Sequence, residues 1–283
     1  MSRSQKSKPY KFPLPQLGER VRPVLSPSTS LRVNSVEGVR GVINMDLSNK
    51  VVFITGITGT LGQAIAESCV DAGAKVYGTF FSRVKEAGDL QKQGMGVFQV
   101  DHRKPEEVQQ KSEQILKQLG RIDVLINNAG MTLDRMSYKM EPSEWNEVMS
   151  VNLTAPFLWT KAALKMMMKQ RSGKIVMVAS RVGIKGAIGA ANYAASKAAL
   201  IGFSKSIAKE MGRYDILVNV VCPGLMKSRM TEILPEVCWE NAIRESALGK
   251  HGDTNETAKF ITYLISDEAR SVTGQVFQWD SRV

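Results

Sequence analysis

Tyr193 and Lys197 stand four residues apart in the stretch A-N-Y-A-A-S-K. On a helix that spacing puts both side chains on one face, about one turn apart. A lysine ammonium beside a phenol favours the phenolate and lowers its pKa. A phenol tuned down from ~10 can serve as general acid or base near neutral pH. Ser180 lies thirteen residues before Tyr193, at the end of the apolar run Ile175–Ala179. A strand ending there would hold the hydroxyl beside the phenol. Gly183, Gly186 and Gly189 would let the intervening loop turn back sharply. A Tyr-x-x-x-Lys pair alone fits many ordinary helices, so the rest of the chain must say whether this trio is positioned for proton transfer.

From Met45 onward, short apolar runs alternate with helical periodicity. Strands are expected at 50–55, 75–80, 96–100, 122–127, 174–179, 216–221 and 275–279. Helices are expected at 61–72, 105–119, 142–169, 192–213 and 254–265. This alternation predicts an α/β fold, a Rossmann-type doubly wound and mainly parallel seven-stranded sheet with helices on both faces, in one domain over 45–283. Residues 225–253 read as the longest irregular insertion, a segment of the kind that lids an active site.

The first strand runs into T-G-I-T-G-T-L-G, Thr55 to Gly62, and then a helix. Glycines at such a turn let backbone approach a pyrophosphate at the positive end of the helix. Gly56, Thr58, Gly59, Leu61 and Gly62 are the candidate contacts. At the end of the second strand, where an acid would hold the ribose diol of NAD, the chain has Ser82 and Arg83. An arginine there suits a 2′-phosphate, so NADP is favoured over NAD.

Composition narrows the function classes. Of the 283 residues 43% are hydrophobic, ample for a core, yet no run approaches the length of a membrane span. Two histidines and three scattered cysteines give no metal spacing, so no metal is expected. The net charge is +11, of which residues 1–44 carry +6 through eight basic residues against two acids. That Pro- and Ser-rich stretch reads as an irregular extension. It is either a plain extension before a natural start at Met45, with the enzyme in the cytoplasm, or a transit peptide for an organelle matrix. The moderately basic remainder suits anionic ligands and does not by itself imply nucleic acid.

Several motifs in order resemble the short-chain dehydrogenase/reductase family over nearly all of 46–280. They are the Gly-rich turn, Asp101 after the third strand, N-N-A-G at 127–130, Asn152 in V-N-L, Ser180, Y-x-x-x-K, and Pro223-Gly224. Within the family the chain is most similar to 3-oxoacyl-[acyl carrier protein] reductases, through 131–136, 144–153, 191–206 and 266–275. The resemblance implies NADPH-dependent reduction of a ketone, preferably a 3-oxoacyl thioester on acyl carrier protein or coenzyme A. It implies that Ser180 binds the substrate carbonyl, that Tyr193 donates the proton, that Lys197 holds the nicotinamide ribose, and that Asn152 holds a relay water. Asp101 and His102 would flank the adenine. Asn128, Ala129 and Gly130 would line the cofactor, and Pro223, Gly224, Met226 and Ser228 would cover it. A homotetramer is also implied, with helices around 142–169 and 192–213 making a dimer contact. Basic residues Lys165, Lys169, Arg171 and Lys174 would dock an acidic carrier. The alternatives are a relative acting on another ketone or alcohol and a non-catalytic subunit of a hetero-oligomer.

Three departures from the family pattern stand out. Thr60 replaces the usual middle glycine, with Gly59 beside it, which removes a basic residue that NADP-using relatives often carry. The C-terminus reads V-F-Q-W-D-S-R-V where relatives have a Gly-Gly pair. Arg181 puts a charge directly after Ser180.

Overall fold

The computed structural model describes residues 45–282. The readings made of residues 1–44 fall outside them. Seven strands form one sheet in the order β3-β2-β1-β4-β5-β6-β7. They are β1 (Val51–Ile54), β2 (Lys75–Phe80), β3 (Gly96–Gln99), β4 (Val124–Asn127), β5 (Gly173–Val178), β6 (Ile216–Pro223) and β7 (Val276–Trp279). Every pairing is parallel, so the sheet is wholly rather than mainly parallel. The strand order reverses between β1 and β4, and in such sheets ligands bind outside the carboxyl ends at that point.

Strand side chains alternate between two buried faces. Phe53, Leu125, Ile175, Met177, Val218 and Val220 meet α3 (Pro105–Leu119), α5 (Ala155–Gln170) and α7 (Ala191–Met211). Val52, Ile54, Val124, Ile126, Val176 and Val178 meet α1 (Thr60–Asp71), α2 (Val84–Lys92) and α9 (Thr254–Ile265). Burial on both faces is why these strands read as continuous apolar runs.

The expected helix over 142–169 is broken. It divides into α4 (Pro142–Met149), a π-helical turn at Ser150–Thr154, and α5. Pro156 has no N–H to give the carbonyl of Asn152 four residues earlier, so the regular ladder cannot continue there. The insertion 225–253 is not wholly irregular; it contains α8 (Glu236–Glu245). The loop after β5 holds a short helix, α6 (Val182–Lys185). Gly186 and Gly189 take φ of 75° and 77°. A Cβ on Gly183 would lie 2.8 Å from the Cβ of Lys197, so the missing side chain is what seats α6 against α7.

Candidate active site

The sequence-predicted catalytic residues converge at the carboxyl ends of β4, β5 and β6. Ser180 follows β5, whose end is held to β6 by Ala179 N donating to Val221 O at 2.8 Å and Arg181 N donating to Pro223 O at 3.1 Å. The Val182 N–H donates to Ser180 Oγ at 3.2 Å and fixes the hydroxyl. The α7 entry is set by Asn192, which donates to Leu133 O at 3.0 Å, while Arg135 N donates to Gly189 O at 2.7 Å. Tyr193 and Lys197 share one face of α7, with Lys197 Nζ 5.7 Å from the centre of the phenol ring. Lys197 is buried and donates to Val178 O at 2.8 Å.

Asn152 is fully buried at the π turn. Its amide oxygen accepts from Met131 N at 2.9 Å, and its amide nitrogen donates to Met131 O at 2.9 Å and to Ser196 Oγ at 3.1 Å. A Cβ on Gly130 would sit 3.3 Å from Lys197 Nζ and 3.5 Å from Asn152 Oδ1. The bare backbone of Gly130 thus lets both side chains pack closely against it.

The electrostatics differ from the expectation in sign. Burial pushes the Tyr193 phenol up from its ordinary value, against the opposing hydrogen bond of the Ser180 side chain and helped by Asp134 and Cys222. Burial costs the Lys197 ammonium as well and pulls it down to about 8. A phenol raised in this way is protonated at neutral pH, the state a proton donor needs. Cys222, which the sequence reading left out of the site, lies under it with a thiol that burial pushes up to about 11.

The glycine turn fits a pyrophosphate. Gly56 takes φ of 68°, and a Cβ there would lie 2.9 Å from Ala129 Cα. A Cβ on Gly62 would collide with Gly56 O and lie 3.0 Å from Asn128 Nδ2. At Gly59 a Cβ would approach only Gly56 O, at 3.3 Å, so the relocated glycine is the least crowded of the three. Thr55 Oγ1 accepts from Asn128 N and Ala129 N, both at 3.0 Å, and Asn128 Nδ2 donates to Thr55 O and Gly56 O. The N-terminus of α1 has Gly59 as its cap residue, no capping side chain and no acid in its first turn. Its free N–H groups and positive dipole end are suited to a phosphate.

At the adenosine end, Arg83 Nη1 donates to Thr58 O at 2.9 Å, which brings the guanidinium back to the glycine turn. Ser82 is exposed beside it. Asp101 accepts a two-pronged pair from Arg103 at 2.9 and 2.8 Å. Arg103 in turn lies 4.3 Å over the Phe81 ring, and neither of these two was anticipated. The His102 ring is buried, with its Nε2 3.3 Å from both Thr79 Oγ1 and Trp159 Nε1, and burial pulls its pKa down to about 4. Of the covering residues, Pro223 ends β6 and Gly224 N donates to Trp279 O at 3.2 Å. Met226 Sδ accepts from Thr257 Oγ1 at 3.3 Å, and Ser228 N donates to Thr231 Oγ1 at 2.9 Å.

The short chain dehydrogenase family model matches residues 50–237. The chain belongs to the short-chain dehydrogenase family. As a member it is an oxidoreductase that uses a nicotinamide cofactor to interconvert CH–OH and carbonyl groups. It is 39% identical over 234 residues to the 3-oxoacyl-[acyl-carrier-protein] reductase FabG of Salmonella typhimurium, covering 82% of this chain and 96% of that one. It is 41% identical over 243 residues to the FabG of Thermotoga maritima, covering 83% and 98%. The crystal structure of gox2181 superposes with a TM-score of 0.78 at 27% identity, covering 84% of this chain and 96% of that one. These short-chain dehydrogenase relatives are spanned almost end to end.

Proposed function

We propose that this short-chain dehydrogenase reduces 3-oxoacyl thioesters to 3-hydroxyacyl thioesters with NADPH. The observation that carries the reading is the meeting of Ser180, a protonated Tyr193 and buried Lys197 beside an uncapped glycine-turn helix. The identity of 39% to a reductase of that substrate supports it. When bound, the nicotinamide supplies a hydride to the ketone carbon. Gly56, Thr58, Gly59, Leu61 and Gly62 hold the pyrophosphate, Asn128 to Gly130 line the groove, and Pro223 to Ser228 cover it. Ser180 Oγ donates to the ketone oxygen and Tyr193 gives it the proton. Lys197 holds the ribose, and Asn152 positions the return path for protons. The test is a substrate panel with pure protein, NADPH and NADH, setting acetoacetyl thioesters against cyclic and aromatic ketones. A preference for the cyclic or aromatic ketones overturns the thioester reading.

The 2′-phosphate reading rests on Arg83, which lies at the glycine turn with no acid at the end of β2. Arg83→Asp puts a like charge against that phosphate. It should weaken NADPH by ~10-fold or more, about the worth of one charge-assisted hydrogen bond, and leave NADH nearly unchanged. Equal losses for both cofactors in a binding titration would remove Arg83 from that role.

The carrier reading needs a revised geometry. Lys165 is paired with Glu113 at 2.6 Å, and Lys174 is mostly buried beside Asp267 and Ser266. Arg171 donates to Arg213 O at 3.2 Å, leaving Lys169, Arg171 and Arg213 as the basic surface. That surface sits at the start of β5, while Ser180 follows its end, roughly 20 Å away at ~3.3 Å per residue. Lys169→Glu with Arg171→Glu should raise KM for a carrier-bound substrate several-fold and leave a small acetoacetyl ester unchanged, because charge pairing acts on association. Equal effects on both substrates would rule the surface out.

A further inference from the structure

Two of the departures from the family pattern meet in one cluster, although Arg181 and Asp280 are far apart in sequence. Arg181 Nε lies 3.3 Å from Asp280 Oδ2, and Arg282 Nε lies 2.7 Å from the same oxygen. Arg181 Nη2 reaches Glu245 Oε2 at 3.6 Å. The Asp280 side chain is 6% exposed, Arg181 17% and Glu245 51%. Two guanidiniums and two carboxylates cancel, so no net positive charge remains to bind an anionic substrate group. Arg181 Nε is buried and makes no hydrogen bond, so its hold on Asp280 is electrostatic.

The same carboxylate lies where three pieces of backbone are tied together. A Cβ on Gly224 would collide with Asp280 Oδ1, so the carboxylate rests directly on the Pro223-Gly224 turn. Arg181 N donates to Pro223 O and Gly224 N donates to Trp279 O, which ties the ends of β5, β6 and β7 together. Ser281 O accepts from Ala247 N at 2.8 Å, Ser281 Oγ is 2.6 Å from Ser246 Oγ, and Ser246 bridges Arg282. The C-terminal end of α8 is thereby pinned to the same point. At the far end of this segment Arg229 pairs with Glu86 on α2 at 3.1 Å.

We propose that Arg181 and Asp280 are positioning residues that join the strand end carrying Ser180, the Pro223-Gly224 turn and the end of α8 into one unit, which holds residues 225–247 over the site. Removing Arg181 leaves the buried Asp280 carboxylate with Arg282 alone, and removing Asp280 leaves Arg181 with only the half-exposed Glu245, so the joint is sensitive to the loss of either one. The kinetic part of the inference rests on the proposed role of Ser180; the structural part does not.

The test uses the full chain and four substitutions: Arg181→Met, Arg181→Lys, Asp280→Asn and Glu245→Gln. Trypsin can cut the segment after Lys227, Arg229 and Arg244. Arg181→Met should speed those cuts and raise KM for an acetoacetyl thioester, each by ~10-fold, equivalent to about 1.4 kcal/mol of lost coupling. Arg181→Lys should recover most of both effects. Glu245→Gln, at the half-exposed partner, should fold normally and give a smaller effect in the same direction, and adding it to Arg181→Met should change little. If Asp280→Asn does not fold, the Arg181 and Glu245 variants still decide. Unchanged cleavage and KM in Arg181→Met would overturn the proposal. So would a drop in Tm and activity that Arg181→Lys fails to rescue. If the parent protein turns over no thioester, the substrate reading fails, and the cleavage rates still decide the cluster.

Discussion

Tyr193→Phe should lower kcat for ketone reduction by ~100-fold or more, the range seen when a positioned general acid is removed. The change deletes one oxygen and keeps the ring against Lys197. Cofactor affinity should therefore stay within about two-fold, as judged by a binding titration, while the loss falls on kcat. The site favours this outcome because burial keeps the phenol protonated. The neighbouring groups cannot replace it. Lys197 Nζ is held by Val178 O and, in the proposed role, by the nicotinamide ribose, and the Cys222 thiol is fully buried. Turnover within a few-fold of the parent would show that another group protonates the substrate.

Gly62→Ala should weaken cofactor binding by ~10- to 100-fold, the equivalent of about 1–3 kcal/mol of overpacking. The added methyl meets Gly56 O, Asn128 Nδ2 and Ile57 Cα. Two of those three atoms are backbone, and the third is a side-chain amide already holding Thr55 O and Gly56 O. The turn must shift to admit the methyl, and the uncapped end of α1 then loses its aim. Gly59→Ala provides the contrast, because its Cβ would approach only Gly56 O, at 3.3 Å. It should cost several-fold less in the same titration. Equal losses in the two variants would mean that the turn is not held as described.

The frame of the site was legible in the sequence because the sheet is buried on both faces. Its central strands β1, β4, β5 and β6 are mostly apolar, and the helices between them show a different period. The proximity of Ser180, Tyr193 and Lys197 followed from one strand end and one helix face. What the sequence left hidden depends on contacts between distant residues. The pattern over 142–169 is helical by period, and the π turn at Asn152 follows from what Pro156 cannot donate. His102 follows Asp101 in sequence, yet Thr79 and Trp159 draw its ring into the core. The helix α8 was passed over inside the 225–253 insertion, a ten-residue element of which only Ala242 is buried. The sign of the tyrosine shift was missed for a related reason: spacing places the lysine nearby but says nothing about how much water either group loses. Arg181 and Asp280 each read as an isolated departure, and only the register of β5, β6 and β7 makes them partners.

The central claim is that this site delivers a hydride to the ketone carbon of a 3-oxoacyl thioester and a proton from Tyr193 to its oxygen. The most direct measurement is product mass and label position after incubation of the full chain with acetoacetyl thioester and NADPH carrying deuterium at both C4 positions of the nicotinamide. The account predicts a 3-hydroxyacyl thioester carrying one deuterium at the carbinol carbon, formed at least ~100-fold more slowly by Tyr193→Phe. Unlabelled hydroxy product, or no product from a protein that binds NADPH, would contradict it.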